Sequence, residues 1–209
     1  IALGAGPISI EMAQAFAMLG SKVIVVSKGE QILGKEDKDM ADALQGVLEQ
    51  NGVEFHLNAK IVSCRQEDNT RYVCYEQDGQ TKEVSGDQVL VALGQAPNVT
   101  ELGLEQAGVE YDKRGIRTDN RLRTSQKHIY AAGDAHGKFL FTHAAGYEAG
   151  VVVANAIVHW PRRVNYRWMP WCTYTHPELA NIGMNEKAAR QADIDFRVYT
   201  QRFAGNDRS

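Results

Sequence analysis

Cysteine is scarce: three in 209 residues, Cys64, Cys74 and Cys172, at wide spacing. An odd number with no CxxC pair and no Cys/His cluster argues against a disulfide scaffold and leaves no candidate metal site. It agrees with a reducing, cytoplasmic compartment. Clustered positive charge is missing too. Lys+Arg number 23 against 26 Asp+Glu, the net charge is -3 and the pI is near 6.1, which argues against a nucleic-acid partner and against a polybasic membrane anchor. No run is long and apolar enough to span a bilayer: the stretch at Val151–Val158 contains Asn155 and follows Glu148. There is no solenoid-period repeat and no low-complexity tract. The chain opens on Ile1-Ala2-Leu3, without Met or a signal peptide. Those residues read as a strand already under way, so a fragment of a longer protein is expected.

What is present reads as an ordinary globular chain, 44% hydrophobic and 23% charged, long enough for one or two domains. Strand Ile1–Leu3, a turn, helix Ile8–Leu19, strand Val23–Val26, helix 36–50 and strand Val53–Leu57 make a βαβαβ unit. The apolar stripe of the first helix is expected at Ile8, Met12, Ala15, Phe16 and Leu19. Short half-alternating runs at Ile61–Gln66, Tyr72–Gln77 and Thr81–Val84 predict an antiparallel meander. Gln88–Leu93 returns to the apolar parallel type. Ala96-Pro97-Asn98 marks a first boundary, giving domains 1–97 and 98–162. The second domain is loop-rich to residue 127, then has a buried strand His128–Ala132 and a helix from Thr142 to about His159. Trp160-Pro161 marks the second boundary. Residues 163–209 predict the opening of an α+β unit: strand Cys172–Thr175, helix Glu186–Ala192 and strand Phe196–Thr200, stopping at Asp207-Arg208-Ser209 before a layer is complete.

Two motifs carry chemistry. In Gly4-Ala5-Gly6-Pro7-Ile8-Ser9 the first glycine permits the tight turn and the second lets a pyrophosphate approach the backbone. Ser9 replaces the third, which normally allows close helix–strand packing. The helix N-terminus offers N–H groups and a positive dipole end to phosphate. An ordinary βα turn would carry similar glycines. The second strand ends in Ser27-Lys28, where an Asp or Glu would read the ribose 2′-OH of NAD. A hydroxyl beside a cation suits a 2′-phosphate, favouring NADP over NAD, unless Lys28 is only a solvated loop charge. The second motif is Gly133-Asp134 after a strand, with Phe141-Thr142-His143 opening a helix. An ionised Asp134 accepts bonds from sugar or ribitol hydroxyls, and the dipole of the following helix favours the anionic end of a reduced flavin. Asp134 would equally serve as a turn cap.

In these motifs the chain resembles the two-dinucleotide flavoprotein disulfide reductases (class I pyridine nucleotide-disulfide oxidoreductases). "GAGPISIEMAQAFAMLGSKVIVV", "VALGQAPN", "IYAAGDAHGKFLFTHAAGYEAGVVVANAI" and "WCTYTHPELANIGMNEKAA" occur in that family's order and cover essentially the whole chain. The last stretch most resembles mercuric reductase, and dihydrolipoamide dehydrogenase-like members are close. The resemblance implies an α/β fold. It comprises a Rossmann-like NAD(P)-binding domain with a β-meander, a partial FAD-binding domain and the start of an α+β dimerisation domain.

It also implies that Gly4, Gly6, Pro7, Ile8 and Ser9 lie along the pyridine-nucleotide pyrophosphate. Ser27 and Lys28 lie at the adenosine ribose, and Gly94 lies next to both cofactors. Gly133 and Asp134 meet the FAD ribitol, with Phe141, Thr142 and His143 along the flavin edge. Glu11 matches a buried Glu that pairs with a Lys near flavin N5; helix-dipole complementation is its other reading. Pro7 stands where some members have an aromatic gate, and His176 replaces an Asp. The family's reactive Cys pair lies upstream of the matched region and its His-Glu pair downstream, so the three cysteines here read as structural.

The implied activity is hydride transfer from NAD(P)H to FAD, then on to a disulfide, a dithiol or a thiol-bound metal. The natural protein is expected to be a homodimer with a small-molecule or thiol/disulfide substrate, and the isolated chain is expected to be inactive. A flavin transhydrogenase, an NAD(P)H oxidase or a non-enzymatic nucleotide-binding module are the alternatives. A truncated interface would leave Trp168, Met169 and Trp171 exposed.

Overall fold

A computed structural model describes residues 1–205 of the chain. Its elements are β1 (Ala2–Leu3), α1 (Pro7–Met18), β2 (Val23–Val26), α2 (Lys38–Gln50), β3 (Val53–His56), β4 (Lys60–Glu67), β5 (Thr70–Gln77), β6 (Gln80–Gly86) and β7 (Leu90–Val91). Then come β8 (Tyr111–Asp112), β9 (Gly115–Ile116), α3 (Thr142–Ala156), β10 (Pro170–Thr173), β11 (Leu179–Ile182) and α4 (Glu186–Gln191). They form two compact units. One comprises Ile1–Leu93 with the chain from Cys172 onward, the other Gly94–Trp171. The expected end at Asp207-Arg208-Ser209 lies outside the described residues.

In the first unit a parallel sheet has the order β3-β2-β1-β7. Leu3 pairs with both Val26 and Val91, and Val26 pairs with His56, so the strands' carboxyl ends stand level. The β2 sequence is four branched apolar residues because both sheet faces are covered. Val23 and Val25 face α1 and α2, among Ile10, Leu44 and Leu48. Ile24 and Val26 face the antiparallel meander β4-β5-β6, among Val73 and Tyr75. Burying each such side chain contributes about 1.5–3 kcal/mol. Tyr75 is also tied by its hydroxyl, which lies 2.6 Å from His56 Nδ1.

The βαβαβ unit and the meander form as expected, with three local differences. First, α1 buries Ser9, Ile10, Ala13 and Gln14, while Ile8, Phe16 and Leu19 of the expected stripe are exposed. The helix is apolar almost all round, so periodicity alone does not choose its inner face. The inward side joins Ile10 and Ala13, which pack in the core, to Ser9 and Gln14, whose polar groups find partners there. Second, the 88–93 strand is reduced to β7 at the sheet edge, with Val91 and Leu93 exposed. Third, residues 193–200 are irregular and mostly exposed rather than a strand: they find no neighbour to pair with among the described residues. The strand that does pair with β10 is β11, which the reading of the sequence missed. Leu179 on β11 packs into the core of α1 and α2.

In the second unit the predicted strand His128–Ala132 is absent. Its backbone makes a single bridge, Arg123 to Tyr130, with Thr124 N–H donating to Ile129 O and Ala131 N–H to Leu122 O. One partner on one side is not a ladder. The core there is Leu104, Val109, Ile116 and Ala131. Met169 is buried and Trp171 half-buried, contrary to the expected exposed patch; Trp168 alone of the three is exposed. No helix among the described residues is long and apolar enough to cross a membrane.

Candidate functional site

The glycine turn lies where β1 runs into α1, at the carboxyl edge of the parallel sheet, the side on which open α/β sheets bind ligands. Gly4 has φ +98°, and a Cβ there would stand 2.5 Å from Ala92 O. Only glycine fits. Gly6 is the N-cap of α1 and is open: nothing lies within 4 Å of where its Cβ would be. Pro7 occupies the first turn, no side chain caps it, and no acidic residue stands in it. The N–H groups that begin a helix have no intrahelical acceptor. A ledge without side chains in front of such a terminus fits a pyrophosphate. Ile8 is half-exposed beside it. Ser9 is fully buried and its hydroxyl donates to Gly4 O at 2.6 Å. Ser9 thus packs in the third-glycine position and also latches the turn shut.

At the end of β2, Ser27 is buried. Its N–H donates to His56 O at 2.9 Å and its hydroxyl accepts from Gly29 N–H at 3.3 Å. Lys28 beside it is exposed and makes no ion pair among the described residues. The hydroxyl of Ser27 is therefore engaged in its own loop, and the cation is the group left open.

Glu11 is half-buried, not buried, and no cation pairs with it among the described residues. Its Oε1 accepts from Tyr174 N–H at 2.8 Å. Next on the same helix, the sequence reading missed Gln14, which is buried. Its amide donates to His176 O at 2.7 Å and to Asn51 Oδ1 at 2.9 Å, and it accepts from His176 N–H at 2.7 Å. Together Glu11 and Gln14 fasten the 174–176 backbone to α1. Further along, the Asp37 carboxylate accepts from the N–H groups of Glu186 and Lys187, and Asn185 caps α4 through Ala188 N–H.

None of the cysteines is paired. Burial, then the Glu178 and Glu11 carboxylates, push the Cys172 thiol up. The hydrogen bond to Glu83 is the main cause that raises Cys74. Both therefore stay protonated, and the thiolate is the nucleophile. Cys64 is exposed on β4.

In the second unit, Gly133 begins a short 3-10 turn, Gly133–Ala135, at φ +66°. Asp134 in this turn is exposed and has no hydrogen-bond or ion-pair partner among the described residues. An acceptor-only group held open suits hydroxyl donors. The helix α3 starts eight residues later with Phe141 at its N-cap, no side-chain cap and no acid in its first turn. Such a terminus suits an anionic ring edge. Thr142 and His143 are exposed there; His143 Nε2 lies 2.8 Å from Pro170 O, and its ring stacks on Phe141. Gly94 is exposed at φ +137°, and nothing lies within 4 Å of where a Cβ would stand.

The other residue missed from sequence is Glu148 on α3, which is fully buried. Its Oε2 accepts from Gly133 N–H at 2.6 Å and its Oε1 from the Tyr166 hydroxyl at 2.6 Å. Burial and this bond push the Tyr166 hydroxyl well above the ordinary tyrosine range. A glutamate inside an otherwise apolar helix stretch was the available signal.

A family model described as pyridine nucleotide-disulphide oxidoreductase matches residues 1–149, and the dimerisation domain of the same family matches residues 169–209. Dihydrolipoyl dehydrogenase of Bacillus subtilis is 35% identical over 210 residues, covering 100% of this chain and 45% of the relative. Mercuric reductase of Staphylococcus aureus is 33% identical over 197 residues, covering 94% of the chain and 36% of the relative. The HOCl-induced flavoprotein disulfide reductase RclA of Escherichia coli superposes with a TM-score of 0.87 at 30% identity, covering 99% of the chain and 47% of that structure. The chain thus spans somewhat under half the length of the relatives it matches. The α/β architecture, the glycine turn and a family match that alone takes in residues 1–149 agree: this chain belongs to the pyridine nucleotide-disulphide oxidoreductase family.

Proposed function

We propose that this chain is the nucleotide-binding portion, with a share of the flavin site, of a flavoprotein reductase driven by NAD(P)H. Its acceptor would be a disulfide, a dithiol or a thiol-bound metal. The observation that carries this reading is the uncapped N-terminus of α1 behind the open Gly6 ledge. There the N–H groups of the first turn, at Ile8 and Ser9, hold phosphate oxygens, and the fixed dipoles need no reorganisation. Gly4 and Ser9 keep the ledge rigid, and Pro7 sets the helix entry. Lys28 reads the adenosine ribose, supplying charge to a 2′-phosphate, while Ser27 shapes the loop that carries it. Glu11 stands on the same helix, with its second carboxylate oxygen open to a cation. On the flavin side, Asp134 holds ribitol hydroxyls, while Phe141, Thr142 and His143 line the ring edge and Gly94 leaves open space for a cofactor. A bound flavin would supply the hydride-accepting and electron-passing chemistry; the part of this chain is to bind and orient it.

In functional terms the chain divides into a nucleotide-binding segment, residues 1–97, a flavin-binding segment, residues 98–162, and an interface segment, residues 163–209. The match to a dimerisation domain supports a homodimer for the natural protein. Three free cysteines support a reducing, cytoplasmic setting.

The test is titration with NADPH and NADH, read by nicotinamide fluorescence. Gly6→Ala places a methyl on the ledge without touching protein. It should weaken binding by about tenfold or more while the melting temperature holds. Unchanged affinity in Gly6→Ala refutes the phosphate ledge. Lys28→Ala should weaken NADPH about fivefold and leave NADH untouched. Equal losses for both nucleotides would mean that Lys28 does not read the 2′ position.

A further inference from the structure

The flavin reading requires Asp134 to stand in one place, yet the short turn that carries it has no ladder on either side and no side-chain cap. Something else must hold it. Glu148 is fully buried, and no cation stands within ion-pair distance of it among the described residues. A carboxylate in that position survives only if donors fill its oxygens. Two do: Gly133 N–H at one oxygen and the Tyr166 hydroxyl at the other, both at 2.6 Å. The Gly133 N–H is therefore already engaged and is not offered to a ligand. Tyr166 is itself positioned: its ring lies 4.7 Å from that of Phe139, and Lys138 Nζ sits 4.4 Å above it. Phe139 and Lys138 belong to the same 133–141 segment that leads from Asp134 to α3. Gly133 has no spare room either, since a Cβ there would stand 3.0 Å from Ala145 Cβ.

We propose that Glu148 is a positioning residue for flavin binding: braced by Tyr166, it grips the Gly133 N–H and so sets where the Asp134 carboxylate stands relative to the start of α3. This rests on the flavin reading of Asp134 given above. Glu148 touches no cofactor; it acts through Asp134. Glutamine can keep both bonds, with its carbonyl accepting from Gly133 and its amide donating to the Tyr166 oxygen. Alanine keeps neither.

The experiment uses the protein carrying this chain at its natural length. FAD is titrated into flavin-stripped protein and followed by quenching of flavin fluorescence. E148A should raise the FAD dissociation constant about tenfold or more, E148Q should stay within about threefold, and Y166F should fall between. The deciding arm is a cycle with Asp134→Asn. If Glu148 acts through Asp134, E148A costs little further once that carboxylate is gone. An equal loss in both backgrounds means that Glu148 is only a fold element, and overturns the proposal. Should E148A not fold, Y166F decides: faster amide exchange at Gly133 together with weaker FAD supports the clamp, and no change in either overturns it. Wild-type protein that binds no FAD refutes the flavin reading itself. That failure appears in the control and not in the variants, so the two are separable.

Discussion

Gly4→Ala is expected to lower the melting temperature by about 10 °C and to abolish nucleotide binding. Two costs coincide at this position. The backbone sits at φ +98°, where an L-residue is strained by about 1–3 kcal/mol. The added Cβ would also meet Ala92 O at 2.5 Å and Ala92 C at 3.1 Å. Neither atom can give way easily. Ala92 N–H donates to Leu3 O at 3.0 Å, and Gly4 N–H donates to Val26 O at 2.8 Å, so both chains are pinned to the sheet. Overpacking against fixed backbone adds about 1–3 kcal/mol. A sum near 3 kcal/mol corresponds to roughly 6–12 °C in a chain of this size. Because the β1–α1 joint must shift, the Gly6 ledge proposed to hold phosphate moves with it. Calorimetry and NADPH titration check both halves. A melting point within about 2 °C of wild type would show that the turn is not under this constraint. The contrast with Gly6→Ala is informative, since that methyl enters open space and should spare stability.

The second large effect concerns the polar clamp on α1. Gln14→Ala should cost about 2 kcal/mol and speed proteolytic cleavage within residues 172–184. The Gln14 amide makes three bonds, two of them to the N–H and C=O of His176, so it serves as a one-residue ladder partner for a loop. Its removal leaves backbone groups with only partial access to water. Gln14→Glu discriminates between shape and bonding. It keeps the acceptor for His176 N–H but loses the donor and sets a negative charge against His176 O. It should be at least as damaging as alanine. A stable Gln14→Glu protein, judged by denaturant midpoint, would show that the donor bonds contribute nothing.

How far the residues alone foretold the molecule differs from place to place. The β2 run Val23–Val26 has one reading, because only a strand buried on both faces uses four branched apolar residues in a row. The glycine turn was legible for the same kind of reason: its spacing states a backbone requirement, and the packing of Gly4 on Ala92 is what that requirement looks like in three dimensions. The face of α1 was not legible. An all-round apolar helix offers several stripes, and the one buried runs through Ser9, Ile10, Ala13 and Gln14, two of them polar residues whose partners appear only in the fold. The segment 128–132 has a strand's composition without the strand's neighbours, and a strand exists only in pairs.

Glu148 and Gln14 escaped notice because each, in one dimension, is a polar residue on a helix and would ordinarily face water. Their partners are 15 and 162 positions away.

The amino-acid order by itself determined the class of architecture, the place of the glycine turn and the family. These depend on local backbone demands and on short-range periodicity, which are written in consecutive residues. Tertiary structure alone decided which side of α1 turns inward, that Ser9 latches the turn, and that two buried polar side chains hold the segments flanking the candidate sites. Burial and hydrogen-bond partnership are properties of pairs distant in the chain. A buried carboxylate or amide becomes recognisable only when the donors that make its burial tolerable have been brought beside it.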